Sequence, residues 1–318
     1  MSQANPRSVR VCIAQAEPAW LDLPAGVEKT CKLATEAAQN GAQLIAFPEL
    51  WLTGYPCWIW SRPLDPELGP KYIKNSIRAD SPEMGTLQNC ARENSIAISL
   101  GCSENSNNSL YISQFLIDHD GSIAVHRRKI KPTHMERTIF GDGSENSLRI
   151  VGNLSFARVG GLSCWEHLQP LLKYHSITQR PEIHVAAWPV LDPFQGGELW
   201  SISVDGCESL SRTYAAESGA FVLHCTTVIS EKGIELLRTS GSSMMSTPGG
   251  GYSAVYAPDG RRLTEPLAAK EEGLIYADLD LDMILNARMF LDSIGHYSRP
   301  DILWLGVDAS SKRVLRSG

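Results

Sequence analysis

Short apolar runs alternate along the chain with longer stretches in which apolar positions recur every three or four residues. Residues 9–16 (VRVCIAQA) have the density of a buried strand, 25–40 (AGVEKTCKLATEAAQN) the spacing of an amphipathic helix, and 43–50 (QLIAFPEL) that of a second strand. Strand, helix and strand in this order make a βαβ unit, and hence a layered α/β fold. The rhythm recurs with a helix over about 83–94 and a strand over 96–102. LYISQFLID and SIAVHRRK follow, joined by His119-Asp120-Gly121, whose Asp-Gly step predicts a hairpin.

The second half reads alike. ARVGGLSC (157–164), IHVAAWP (183–189) and FVLHCTTV (221–228) are strands, separated by helices over 169–180 and about 199–218. SAVYAPDGRRL (253–263) predicts a second Asp-Gly hairpin, and GLIYADLDL (273–281) a last strand. No Ser/Gly or charge run is long enough to act as a linker, so one domain over 1–318 is expected, its two similar halves closing over one core. Two segments, 56–84 and 230–251, are longer than the connections they replace and read as functional or interfacial insertions.

Composition narrows the possibilities. With 318 residues, 43% hydrophobic and 20% charged, the chain can fold without disulfide or metal staples. Its 29 basic and 35 acidic residues leave a net charge of −6, which argues against a nucleic-acid partner. No run approaches the roughly 20 apolar residues of a membrane span. The opening MSQANPRSVR contains no apolar leader core, so the eight cysteines (12, 31, 57, 90, 102, 164, 207 and 225) are expected to be reduced thiols in the cytoplasm. None is at CxxC or zinc-site spacing, and neither a metal nor a cofactor is expected.

Three places can carry chemistry. Cys164 ends an apolar strand and precedes a helical pattern, a position that opens onto the carboxyl end of a sheet and, beside helix amides, lowers a thiol pKa; a buried structural thiol fits the position as well. Glu49 ends the second strand, where burial forces a carboxylate to be paired or shifted, either as a base or as a cap on the sheet. In HRRKIKPTHMERTIFGDG (126–143) the cations suit a solvated strand face. Yet Ile123, Val125, Arg127 and Lys129 share one face that begins apolar, and Pro132 leads into a loop that carries Glu136. A thiol, a carboxylate and an ammonium together suffice for covalent acyl chemistry. No GxSxG, GxGxxG or GxxxxGK[ST] motif is present.

These residues sit in FPELWLTGYP, HRRKIKPTHMERTIFGDG and GGLSCWEH, and with HVAAWP and GHYSRPD the chain resembles the nitrilases of the carbon–nitrogen hydrolase superfamily over about residues 8–306, most closely the microbial arylacetonitrilases. The resemblance implies a four-layer αββα sandwich with Cys164 as nucleophile, Glu49 as general base, Lys129 as stabiliser of the tetrahedral intermediate, and Glu136 as a second carboxylate that positions Lys129 and substrate. Lys129 rather than Lys131 matches the family's pattern, following the Arg pair and preceding the loop Glu by seven residues. The implied reaction converts a nitrile to acid and ammonia through a thioimidate and a thioester, without cofactor.

Tyr55, Trp165 and Trp188 resemble pocket-lining positions and favour an arylaliphatic or aromatic nitrile. Trp58 and Trp60 suit pocket or core equally, Trp20, Trp200 and Trp304 are expected in the core, and His167 is expected near the site in a structural hydrogen bond. A homo-oligomer is implied, a dimer or a higher spiral. The chain stops soon after GHYSRPD, where many microbial nitrilases continue, which argues against long filaments. A cyanide hydratase or dihydratase, an amidase of the same superfamily, and more remotely a non-catalytic binding protein are the alternatives.

Overall fold

Alternation along the first strand decides which layers meet. In β1 (Ser8–Gln15) Val9, Val11 and Ile13 face one way, and Cys12 and Ala14 the other. The first set packs against a second sheet and the second set against helices, so the strand is buried on both faces.

The computed structural model describes residues 7–311; the opening MSQANP, read above for its lack of an apolar run, lies outside them, as does 312–318. After β1 come α1 (Leu23–Gln39), β2 (Leu44–Ala46), α2 (Leu68–Lys74), α3 (Pro82–Asn94), β3 (Ala97–Ser106), β4 (Ser109–Ile117) and β5 (Ile123–Arg128). The second half supplies β6 (Val151–Asn153), β7 (Arg158–Ser163), α4 (Pro170–Thr178), β8 (Ile183–Ala187), α5 (Val204–Ser218), β9 (Phe221–Cys225), α6 (Glu231–Leu237), β10 (Ala254–Tyr256), β11 (Gly273–Asp280) and α7 (Met283–Phe290).

One sheet runs β11-β1-β2-β3-β4-β5 and the other β10-β9-β8-β7-β6, each parallel at its centre and antiparallel at its edges. Val11 and Ile13 of the first sheet meet Val185 and Leu223 of the second in one apolar cluster. Val27 and Ala34 of α1 and Leu87 and Ala91 of α3 cover the outer face of the first sheet; Leu172 and Ile177 of α4 and Cys207 and Ala215 of α5 cover that of the second. The layers are therefore α, β, β and α.

Asp22 caps α1 by accepting from the Ala25 amide, and Ser81 caps α3 through the Met84 amide. The hairpin at Asp120-Gly121 forms as the sequence predicts, with Gly121 at φ +85°. The second Asp-Gly turn also doubles back as predicted, the Ala257 N–H donating to the Arg261 carbonyl and the Leu263 N–H to the Val255 carbonyl around an antiparallel bridge of Tyr256 with Arg262, while β10 itself pairs with β9. The expected helix over 199–218 starts at Val204, after a short 3-10 turn over Trp200–Ile202.

Both insertions are structured. The first holds a 3-10 turn, Cys57–Trp60, and α2; the second holds α6. Trp58, Leu68 and Tyr72 of the first join Ile234, Leu237 and Met245 of the second in one apolar cluster. Trp20 is in that cluster, as expected, but Trp200 and Trp304 are not core residues: they are 50% and 78% exposed, Trp200 on the short 3-10 turn that leads into α5 and Trp304 on the stretch beyond α7.

Candidate active site

The site is built where strands end. β2 is only three residues long, and beyond it Phe47, Pro48 and Glu49 turn between the two sheets. Glu49 donates its backbone N–H to the Trp188 carbonyl across the sandwich, at 3.2 Å. Gly101 on β3 permits this turn, since a Cβ there would sit 2.2 Å from the Pro48 carbonyl oxygen.

Val125 and Arg127 of β5 and Lys129 just past it are buried, as the alternation predicted, but Ile123 is only partly buried and packs in the outer cluster instead, because the pairing with β4 slips between Leu116 and Ile117. The Lys129 ammonium reaches Glu49 Oε1 at 2.9 Å and Glu136 Oε2 at 2.8 Å, with all three side chains shielded from solvent. Glu136 belongs to a 3-10 turn, His134–Thr138, and its Oε2 also accepts the Thr133 amide at 2.7 Å, so the turn holds the carboxylate in place. Its Oε1 accepts from the Tyr55 hydroxyl at 3.1 Å, and Tyr55 in turn accepts from the Trp60 indole at 3.3 Å. Lys131 points elsewhere, to Asp142 at the surface.

Cys164 directly follows β7 and begins a 3-10 turn, Cys164–Leu168, with φ of +48°, a left-handed conformation uncommon for a residue with a Cβ. Neighbours over-determine the bend. Glu166 accepts from the Ser163 amide, and His167 donates from Nδ1 to the Cys164 carbonyl at 2.7 Å. That bond fixes the tautomer, leaving His167 Nε2 to accept from His184 Nε2–H at 3.0 Å. Burial drives the His167 pKa down to about 4, so the imidazole stays neutral. The structural hydrogen bond expected for His167 is thus in place.

Charge is distributed unevenly over the cluster. Burial pushes Glu49 above the ordinary carboxylate range, Lys129 pulls it back in part, and the Glu136 charge adds to the rise. Burial alone would lower Lys129, yet the two carboxylates hold it firmly protonated. Cys164 departs from the sequence expectation. Its thiol is pushed well above 9.0, because burial and the Glu49 carboxylate outweigh Lys129 and the amides of so short a turn. Cys164 therefore rests as a protonated thiol, and Glu49 Oε2 is buried without a partner of its own.

Cys164, Trp165, Tyr55, Trp60, His134 and Leu191 line a cavity of about 250 Å³ above this cluster. Tyr55 and Trp165 fall where expected, and Trp60 is a wall whereas Trp58 is core. Trp188 is a correction. Its indole is fully buried away from the cavity, stacked on His167 at 5.2 Å and donating to Ser211 Oγ at 3.1 Å, because β8 turns this position towards α5. Sequence reasoning missed His134, which stacks on Trp60 at 5.5 Å, and Met244 and Leu199, for which no local pattern gave a signal. It also missed the pairing of Arg127 with Glu166, although Arg127's place on the Lys129 face was visible. Among the described residues no group of three or more His, Cys, Asp or Glu is set to hold a metal ion.

Known proteins resemble this chain over most of its length. The carbon-nitrogen hydrolase family model matches residues 10–289. An arylacetonitrilase of Hypocrea virens is 63% identical over 311 residues, covering 98% of this chain and 94% of the relative. An arylacetonitrilase of Aspergillus niger is 58% identical over 309 residues, with 97% and 94% covered. Among solved structures, a carbon-nitrogen hydrolase from Helicobacter pylori superposes with a TM-score of 0.70 at 17% identity, covering 90% of this chain and 94% of that one. An amidase from Nesterenkonia sp. gives 0.66 at 20% identity, with 91% and 98% covered, a likeness of fold.

Proposed function

The chain belongs to the carbon–nitrogen hydrolase family, and from that premise we propose that it is a nitrilase that hydrolyses arylaliphatic nitriles to the carboxylic acid and ammonia. The observation that carries the reading is the Lys129 ammonium clamped between Glu49 and Glu136 beneath an apolar cavity onto which Cys164 opens. The names of the curated relatives favour nitriles over amides as substrates.

Glu49 Oε2 takes the thiol proton as Cys164 Sγ adds to the nitrile carbon, and the proton passes to nitrogen to give a thioimidate. Water, deprotonated by Glu49, attacks that carbon. The nitrogen of the tetrahedral intermediate is protonated and leaves as ammonia, and a thioester remains. A second water releases the acid and returns the proton to sulfur. Lys129, with the Trp165 backbone amide, stabilises negative charge as it develops, and Glu136 keeps the ammonium in line. Expulsion of the thiol from the tetrahedral intermediate gives an amide instead.

The same reading assigns the chain as one hydrolase domain, working in the cytoplasm as a homo-oligomer, a dimer or a higher spiral. Eight free thiols support a reducing compartment. No helix among the described residues is long and apolar enough to cross a membrane. Exposed Leu171, Phe290, Leu303 and Trp304 supply apolar surface of the kind that a second copy covers. Intact-mass spectrometry during turnover of phenylacetonitrile tests the chemistry. An acyl or thioimidate adduct on Cys164 is expected, and turnover of cyanide or phenylacetamide with none of phenylacetonitrile would reject it.

A further inference from the structure

Val190, Ile202 and Met244 have two exposures to empty space. They line the cavity above Cys164, and they also line a second cavity of about 310 Å³ beside it. The two volumes differ in chemistry. The first is walled by aromatic and aliphatic side chains, whereas the second presents Asp192, Gln195, Ser203, Ser242, Ser246 and Thr247.

The three shared residues differ in what they permit. Val190 is buried and branched at Cβ, and Ile202 closes the short 3-10 turn before α5. Met244 is unbranched and only partly buried, in the stretch beyond α6. The backbone next to it is anchored, since the Met245 amide donates to Asp192 Oδ2 at 2.9 Å and the Met245 side chain packs in the cluster of Tyr55 and Val190. With that backbone anchored, the partition is made by the three shared side chains, of which Met244 is the unbranched one.

We propose that Met244 sets the reach of the substrate pocket: it partitions the apolar catalytic cavity from the polar chamber, and shortening it joins the two into a pocket that takes arylacetonitriles with a neutral hydrogen-bonding group at the para position. The inference rests on the arylaliphatic nitrile reading above. At about 250 Å³ the catalytic cavity is smaller than the roughly 300–1,000 Å³ usual for drug-sized ligands. It suits one ring with a short chain, and a para-extended substrate needs the neighbouring volume. An apolar extension would strip water from the chamber's hydroxyl and amide groups without replacing their hydrogen bonds. An anionic one would meet Asp192 and Glu198 in a chamber whose lining includes no Lys, Arg or His.

The test is kcat/KM for wild type, Met244→Ala and Met244→Leu on phenylacetonitrile and on its 4-(2-hydroxyethoxy), 4-propoxy and 4-carboxymethoxy derivatives. Met244→Ala should raise the ratio of hydroxyethoxy to parent substrate about tenfold. The isosteric propoxy compound should gain much less, the carboxymethoxy compound should not gain, and Met244→Leu should keep the wild-type ratios. An unmoved ratio, or an equal gain for propoxy, overturns the proposal. If Met244→Ala lacks a cooperative melting transition, Ile202→Ala opens the same partition from its other side and carries the same expectations. Wild type that fails to turn over phenylacetonitrile defeats the substrate reading itself; wild type that succeeds while the ratios stay fixed defeats only the partition.

Discussion

Arg127 and Glu166 face each other through two hydrogen bonds of 2.8 and 2.6 Å, with both side chains buried. Glu166 also accepts the Ser163 and Ile130 amides, each at 2.9 Å, so one carboxylate ties the residue before Cys164 to the residue after Lys129. Burial tends to raise Glu166, but the Arg127 charge, together with the hydrogen bonds from Arg127 and from the Ser163 and Ile130 amides, outweighs it and keeps the carboxyl below its ordinary range. This joint spans the two sheets and sets the spacing of thiol and ammonium from behind.

Breaking the joint on one side should be expensive. Arg127→Leu leaves Glu166 buried without a counter-charge, and Glu166→Leu strands Arg127; each is expected to cost about 3–5 kcal/mol in urea unfolding. The double substitution should recover much of that loss, because no orphan charge remains. Its activity should not recover, since the Ser163 and Ile130 amides still lack their acceptor. Additive losses in the double variant would count against the joint.

Tyr55→Phe removes the hydroxyl that donates to Glu136 and accepts from Trp60. A hydrogen bond to a charged group contributes about 1.5–3 kcal/mol, so kcat should fall roughly tenfold to a hundredfold. The ring still walls the cavity, and KM should move far less. Trp60→Phe keeps the aromatic wall and deletes only the outer bond of 3.3 Å, so its kcat should drop by a smaller factor. Steady-state kinetics on phenylacetonitrile separates the two, and an equal fall in both variants would show that the hydroxyl's bond to Glu136 contributes nothing of its own.

The pH profile reports on Glu49. A base must be ionised to act, and Glu49 is raised above the ordinary range by burial, with the negative charge of Glu136 adding to the rise. The acid limb of kcat/KM should therefore lie above pH 4.5. Glu136→Gln removes that negative neighbour, so the Glu49 pKa falls and the limb moves to lower pH even as the maximal rate drops. A limb that stays put or moves up would assign it to another group.

Much of this site was legible because its determinants are local. The alternation Val125, Arg127, Lys129 put an ammonium on a buried face, and the carboxylate in LIAFPE had to be buried at a strand end, as it is. Facing between layers was harder to read. Trp165 and Trp188 are both aromatic and both follow a strand, yet one lines the cavity while the other packs against His167, a choice made by how each strand end rotates. The thiol's pKa was misjudged for a related reason. The turn after Cys164 is visible in the sequence, but the Glu49 charge and the burial that overcome it come from another sheet and another layer.

Behind the site lies a pH dependence of stability that does not involve the chemistry. His224 is buried on β9, with Nδ1 at 2.8 Å from Ser211 Oγ and Nε2 without a partner. Burial, helped by the nearby charges of Arg262 and Arg212, lowers its pKa to about 3. In the unfolded chain the same imidazole titrates near 6.5. As pH falls below that value the unfolded state takes up a proton that the native state refuses, so the stability contributed by His224 shrinks with falling pH until the native pKa is reached. His224→Asn offers Ser211 an acceptor without a titrating ring. Urea unfolding of both proteins between about pH 6 and pH 4.5 should show the wild type losing stability more steeply, by up to about 1.4 kcal/mol per pH unit. Parallel lines would mean that His224 binds its proton as readily in the native core as in the unfolded chain.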